Sequence, residues 1–411
     1  MIKGHMTKFF VISISFLLLA SCASYQSRVA PARNNLRNGQ CEPALKLLND
    51  LSEKTDGDQL VHLMEYGTAL QICKDYKTSN QIFIKADKLT DELDYHSASR
   101  VIGATLLNEE MIQYKGDTFE KLFINAEAAL NYLQLGEFDD ALVEVRRINE
   151  KFQKLNSDNK KKFELNSFTQ YLSGLIWEAG YKYDDACISY KTAYKIDPTY
   201  RGVALDMMRG CWLARRSQEF DEMVKEIGPS EAELRSIKQK NSNELVFIFL
   251  QGWGPRKEPR PEARTFPHLV PVYSTTQSLQ VEVDGKKLVS QPVYSVEKAA
   301  IETLNADYAS LVARRAGSFV AKQVVADQIR QKDKALGEIA NLIMLVSEKA
   351  DLRQWSMLPQ TIQVIRIVPT ASTGKISLSG LDRNSNVVES FEDVEIGALK
   401  KKKIYIVRSL K

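Results

Sequence analysis

The stretch from Tyr171 to Pro198 constrains the fold of this chain more than any other. It reads Tyr171-Leu-Ser-Gly174-Leu-Ile-Trp177-Glu-Ala-Gly-Tyr-Lys-Tyr183-Asp-Asp-Ala186-Cys-Ile-Ser-Tyr190-Lys-Thr-Ala193-Tyr-Lys-Ile-Asp-Pro198, a helical pattern. Gly174 and Ala186 are small enough to let two helices approach closely, where larger side chains would push them apart. Trp177, Tyr190 and Ala193 supply the knobs and holes between neighbours. Asp197-Pro198 then stops the second helix, because proline lacks an N–H and disfavours helix at the residue before it.

The same register recurs at Ala129, Tyr132, Gly136, Phe138, Ala141, Val145 and Ile148, more weakly at Gly67, Leu70, Tyr76, Ser79, Phe83 and Ala86, and as a degenerate half at Gly39, Cys41, Ala44, Leu48 and Leu51. With Gly174, Trp177, Tyr183, Ala186, Tyr190, Ala193 and Pro198 as its clearest copy, the pattern resembles the tetratricopeptide repeat, a helix pair of about 34 residues. The equivalent small residues Ala44, Ser79, Ala141 and Ala186 lie 35, 62 and 45 positions apart, so insertions or an unrecognised helix pair around Leu89 to Glu120 are expected. Such arrays present a concave groove, and the resemblance implies that it holds a protein or peptide. The plainer alternative is a spacer, or a brace for a second domain.

The N-terminus carries a second resemblance. Lys3 and Lys8 precede an apolar run from Phe9 to Leu19, too short to be a comfortable membrane span, which ends in Leu19-Ala20-Ser21-Cys22. That junction resembles the lipobox of bacterial lipoproteins, which implies removal of residues 1–21 and acylation of Cys22. Acyl chains contribute roughly 0.8 kcal/mol per buried methylene, so the several chains of a mature lipoprotein hold firmly. In such families Asp after the cysteine retains the protein in the inner membrane; Ala23-Ser24 instead implies the outer membrane, facing the periplasm. Residues 22–35, polar, basic and proline-containing, are expected to be a flexible tether.

The whole chain of 411 residues has the composition of ordinary globular protein, with 44% hydrophobic and 26% charged residues, and is long enough for two domains. The net charge of +4 gives no electrostatic footprint for nucleic acid. Cys41, Cys73, Cys187 and Cys211 form no Cys-x-x-Cys or Cys/His cluster, so no metal site and no cofactor are expected. An oxidising compartment permits three disulfide pairings, of which Cys41 with Cys73 and Cys187 with Cys211 are the local ones; four small buried hydrophobes are the alternative.

After a polar stretch at 228–243 the pattern changes. Leu245–Leu250, Leu279–Val283, Ile362–Val368, Lys375–Leu381 and Ile404–Val407 read as strands, with Asp284-Gly285 a hairpin turn leading to Leu288 and Val289. Between them 296–347 reads as two or three helices. The expected architecture is therefore α+β in two domains: a helical tetratricopeptide-like solenoid over 36–230, then an α+β domain over 242–411 with a helical block between strands.

Two loops of the second domain are candidate binding loops. Trp253, between two glycines and before Arg256, Lys257 and a proline-rich extended run, is expected to be exposed or packed on a partner; otherwise the loop covers a sheet edge. Trp355, in Ala350–Pro359, is the second candidate, although Asp351 and Arg353 beside it could simply lock a helix-to-strand turn.

Catalytic signatures are missing from the sequence. His62, His96 and His268 sit in no His-Glu-x-x-His, and no Gly-x-Ser-x-Gly or phosphate loop occurs. Ser295-Val-Glu-Lys298, Ser372-Thr-Gly-Lys375 and Ser157-Asp-Asn159 imitate penicillin-binding motifs, but in the wrong order and without a late Lys-Thr-Gly. Lys400–Lys403 reads as a turn or a blunted sheet edge, and Lys160–Lys162 as a solvated loop. The sequence thus suggests a non-catalytic, membrane-anchored adaptor for a periplasmic or envelope protein. The alternative is an enzyme or ligand-binding subunit acting on an envelope polymer through its second domain.

Overall fold

A computed structural model describes residues 25–97, 113–157, 165–239, 244–332, 334, 338, 349–370, 374–396 and 402–411. Helices fold back on one another in antiparallel pairs: α1 (Tyr25–Arg37) with α2 (Cys41–Ser52), α3 (Gln59–Ile72) with α4 (Tyr76–Ser97), α5 (Thr118–Leu135) with α6 (Phe138–Ser157), α7 (Ser167–Ala179) with α8 (Tyr183–Ile196), and α9 (Arg201–Leu213) with α10 (Ser217–Ile227). A short α11 (Glu231–Ile237) follows. Each pair turns through one residue of left-handed backbone, at Gly39, Lys74, Gly136, Tyr181 and Arg215. Three of the five are not glycine, which is why those turns carry no plain signal in the sequence.

The expected tether is corrected. From Tyr25 the chain is α1, the first helix of the pair whose second half is legible at Gly39–Leu51. Val29, Ala32 and Leu36, three positions on one helical face, are buried. The polar residues that make this stretch look like a linker find partners far along the chain: Gln26 Nε2 donates to Leu352 O at 3.0 Å, and Arg33 donates to the Ser356 hydroxyl. The interval around Leu89–Glu120 contains the end of α4 and the start of α5, and residues 98–112 lie outside the described residues.

Both local cysteine pairs are disulfides. Cys41–Cys73 joins the start of α2 to the end of α3, and Cys187–Cys211 joins α8 to α9.

The second domain contains β1 (Leu245–Gln251), β2 (Arg256–Arg260), β3 (Ala263–Val270), β4 (Ser278–Val283), β5 (Lys286–Val289), β6 (Gln291–Ser295), α12 (Val296–Lys332), β7 (Thr361–Ile367), β8 (Lys375–Leu381), β9 (Val387–Ser390), β10 (Val394–Glu395) and β11 (Lys403–Arg408). One sheet has the order β11-β1-β7-β6, with β1 parallel to β11 and antiparallel to β7. In the other, β8 pairs β4, which pairs β5, while β9 and β10 pair β8. The proline-rich stretch expected as a loop is the β2–β3 hairpin, with Pro259 opposite Pro267, so neither breaks a central ladder. Within the expected helical block, α12 runs as one helix through Lys332, and most of 333–348 lies outside the described residues.

The unbroken apolar run of β1 has a direct physical cause. Val246, Ile248 and Leu250 join the core shared with the helical array, whereas Leu245, Phe247 and Phe249 join a second core with Leu279, Val281, Ile376 and Leu378. The central sheet is buried on both faces, between helices and the second sheet, so its middle strand needs no polar side.

Candidate functional site

The inner surface of the array is where a tetratricopeptide-like protein would hold its partner, and here the chain's own second domain fills it. Residues 167–178 of α7 are all buried, and so are Leu60–Glu65 of α3 and Leu122–Asn131 of α5. Phe123 and Phe168 pack against Tyr294 of β6, and Gln134 donates to Ile404 O of β11.

The segment Asp351–Pro359 occupies the first repeats in the manner of a bound peptide. Glu65 accepts from Ser356 N at 2.9 Å, Ser356 Oγ at 2.6 Å, Met357 N at 3.0 Å and the Tyr25 hydroxyl at 2.6 Å. Glu120 accepts from Trp355 N at 2.8 Å, the Tyr114 hydroxyl at 2.6 Å and Asp117 N at 2.9 Å. Trp355 packs on Phe83, and its Nε1 donates to Thr68 at 2.8 Å. Arg353 clamps the start of the segment between Asp351 (2.7 Å) and Asp58 (3.1 Å) over the Tyr114 ring. Burial raises the Glu65 carboxyl above its usual range, and burial with the nearby Asp117 charge raises that of Glu120 to about 7.

A second polar cluster ties α7 and α9 to the central sheet. Arg366 of β7 contacts Glu178 at 3.0 Å, Asp206 at 2.9 Å and Glu244 at 2.9 Å. Lys402 bridges Glu178 at 2.6 Å and Glu244 at 2.7 Å, and Arg209 reaches the same two acids at 3.3 and 3.1 Å. Tyr190 donates to Glu178 at 2.7 Å and Tyr171 donates to Asp206 at 2.5 Å. Three acids meet three basic side chains. Burial alone would raise the Glu178 carboxyl, but Arg366, Lys402 and Arg209 outweigh it and hold it well below the usual carboxylate range. Glu244 is lowered for the same reason, whereas burial leaves Asp206 raised.

Above this cluster the inner surface stays open. A cleft of about 640 Å³ lies between α9, α11, the β4–β5 hairpin and β7. Its floor is Tyr171, Asp206, Arg209 and Arg366, and its walls include Leu205, Ile237, Leu288, Val364 and Gln291. On its rim, β5 ends the second sheet with Leu288 and Val289 about 40% exposed.

The repeat residues take these places. Ala129, Ala141, Ala186, Tyr190 and Ala193 are buried, Trp177 packs under Arg146, and Tyr132, Phe138 and Tyr183 are half-buried. Gly136 ends α5 in left-handed backbone, and Pro198 follows α8. A Cβ at Gly174 would sit 2.5 Å from the Tyr190 ring, so the room there serves that ring rather than backbone approach alone.

Both candidate binding loops require correction. Trp253 is 3% exposed, donates from Nε1 to Leu410 O and lies beneath Arg408. Lys257 donates to Arg353 O, 3.7 Å from Asp117, and Arg256 is half-buried opposite Val270. Trp355 is 2% exposed. These tryptophans bind the chain itself, and their indole N–H groups find carbonyl or hydroxyl acceptors inside it. Ser295 accepts from Lys298 N and so caps α12; Ser372 and residues 158–159 lie outside the described residues. Lys402 is buried in the ion cluster rather than exposed in a turn, and Lys400–401 lie outside the described residues. His62 is buried and stacked on Tyr25, and His268 meets Glu258 O; the His96 side chain and Lys160–162 lie outside the described residues. Among the described residues, no group of three or more His, Cys, Asp or Glu could hold a metal ion.

Sequence reasoning missed Glu65, Glu120, Glu178, Asp206 and Glu244. The available signal was an acid within a helix apolar on every side, as Glu65 is in Leu-Val-His-Leu-Met-Glu-Tyr-Gly-Thr-Ala-Leu. Such an acid cannot reach water, so it needs partners from another segment.

No protein-family model and no curated protein sequence matches this chain. Solved structures resemble it at low similarity. The TPR-like repeats of a Podosopora anserina putative kinesin light chain are 14% identical, covering 52% of this chain and 97% of that one with a TM-score of 0.35. MamA from Desulfovibrio magneticus RS-1 is 16% identical, covering 52% and 98% with a TM-score of 0.31. Likeness at that level carries no argument, and the tetratricopeptide-like character of the N-terminal half rests on its own helix pairs.

Proposed function

We propose that this protein is a non-catalytic lipoprotein scaffold, anchored through acylated Cys22 on the periplasmic side of the outer membrane, which binds an envelope protein or peptide at the cleft between the last helix pair and the second domain. The observation that carries this reading is the cleft itself: Leu60–Glu65, Leu122–Asn131 and residues 167–178 of the earlier helices are buried within the chain, whereas this end offers apolar walls, a polar floor and an edge strand. An extended peptide adds to such an edge through its backbone and places alternate side chains in the adjoining hollow.

The convergence of Glu178, Asp206 and Glu244 favours a second reading, an enzyme or ligand-binding subunit acting on an envelope polymer. Against it, each acid is clamped by fixed cations, which supports a role in joining the domains rather than in moving protons.

The test places a photoreactive amino acid at Leu288 of the full-length protein in cells. Crosslinking to one envelope protein, abolished by Leu205→Arg in the cleft wall, supports the scaffold. Crosslinking to no protein, with binding of purified cell-wall polymer to the same cleft, transfers the case to the second reading.

A further inference from the structure

The distance between the lipidation residue and the folded body leaves almost no freedom. Tyr25 follows Cys22 by three residues, which span at most about 11 Å. Tyr25 is already fixed: it is buried, its hydroxyl donates to Glu65 at 2.6 Å, and its neighbour Gln26 donates to Leu352 O at 3.0 Å. An acylated Cys22 would therefore hold the body directly at the headgroups, with one face turned to the membrane.

The hydrogen bonds around α1 lead from that end of the body to α12. From Leu352 the chain runs back three residues, again about 11 Å at most, to Lys349. The Lys349 carbonyl accepts from Arg315 Nη2 of α12 at 2.7 Å. Beyond Arg315, α12 continues for 17 residues to Lys332, about 25 Å of helix. This half of α12 exposes Val320 and Val324, one turn apart, at 61% and 52%; Val312, just before Arg315, is 40% exposed. Ala313 and Gly317, which share the face of Val320 and Val324, are exposed too, and Arg314 adds a cation beside them.

We infer that the surface around the N-terminus of α1 lies on the bilayer and that the exposed valines of α12 contact lipid. This rests on the anchor proposed above, which supplies the occupant: a lipid surface held within about 11 Å of Tyr25. The exposed valines, with arginines on the same helix to meet anionic headgroups, form a small apolar patch suited to shallow contact at headgroup depth. Among the described residues no helix is long and apolar enough to cross a membrane, so the contact is interfacial.

The experiment uses full-length acylated protein in phosphatidylethanolamine and phosphatidylglycerol vesicles, with an environment-sensitive fluorophore on Val320→Cys and, as the comparison, on Ile188→Cys of α8. Ile188 is 51% exposed and lies in the fourth helix pair, far along the array from α1. Lipids carrying a quencher near the headgroup are expected to quench the Val320 label at least twofold more than the Ile188 label, with a blue shift at 320 alone. Equal quenching, with the protein floating with the vesicles, overturns the inference and leaves the anchor standing. If Cys22→Ala floats as well as the unaltered protein, the anchor fails and the inference falls with it.

Discussion

The carboxylate of Glu65 accepts both the backbone N–H and the hydroxyl of Ser356, at 2.9 and 2.6 Å, across 291 residues of chain. With Met357 N and the Tyr25 hydroxyl as further donors, Glu65 holds the inserted segment in the array. Replacing Glu65 by Ala leaves buried donors without an acceptor and should cost about 3 kcal/mol in urea unfolding. Ser356→Ala keeps the backbone bond and should cost about 1 kcal/mol. Equal costs for the two would show that the backbone bonds contribute little.

Glu120 makes the attachment of Trp355 sensitive to pH. Its folded carboxyl titrates near pH 7, above the ordinary value of 4.5, so the folded state binds the extra proton between those values. Stability from this group is therefore greatest below about pH 4.5 and falls as pH rises through 7, by about 3 kcal/mol in all. Denaturation profiles of the native protein and Glu120→Gln should diverge over that window and run parallel above it. Parallel profiles throughout would place the titration elsewhere.

Arg366 should be the most costly cation to lose. Arg366→Met leaves Glu178, Asp206 and Glu244 sharing only Lys402 and Arg209, and loss of one partner in a buried cluster costs about 3–5 kcal/mol. Arg216→Met, at the solvent-facing pair with Asp184, should cost under about 1 kcal/mol by the same unfolding assay. Glu178 and Glu244 have lowered folded values, so their stabilisation is present above about pH 4.5 and is lost on acidification.

Gly174→Ala should destabilise although alanine is the better helix former. The new Cβ would meet the Tyr190 ring at 2.5 Å. That ring cannot yield, because Gly210 lies against its other side and its hydroxyl is held by Glu178 and Arg366. A loss of about 2 kcal/mol is expected, against no loss for Gly202→Ala, whose nearest atom is 3.9 Å away.

Reducing the disulfides should lower the melting temperature. Cys187–Cys211 closes 24 residues and joins consecutive helix pairs, so Cys187→Ala with Cys211→Ala should cost about 3 kcal/mol. Calorimetry with and without a reductant checks this, and an unchanged melting temperature would show that packing alone holds α8 to α9.

Much of the fold is legible in the sequence because its signals are local. Helix pairing at Gly174–Pro198, the strand at Leu245–Leu250 and the hairpin at Asp284-Gly285 each need only periodicity or a turn within a few residues. The tether expected at Tyr25–Asn35 is a helix instead because Gln26 and Arg33 are satisfied only by Leu352 and Ser356. The binding loops expected at Trp253 and Trp355 fail for the same reason: the Leu410 carbonyl and the Thr68 hydroxyl that accept from these indoles are remote in sequence.

The sequence by itself determined the repeat register and the strands at Leu245–Leu250, Leu279–Val283, Ile362–Val368, Lys375–Leu381 and Ile404–Val407, and it offered the two local cysteine pairs among three possible pairings. Only the tertiary structure decided that the array closes around its own second domain, that Glu65 and Glu120 hold residues 355–357, and that the open cleft remains at the far end. Periodicity shows which face of a helix must leave water. It does not say which distant segment covers that face, because burial is rewarded for any apolar partner, and the choice rests on polar groups that must find one another across hundreds of residues.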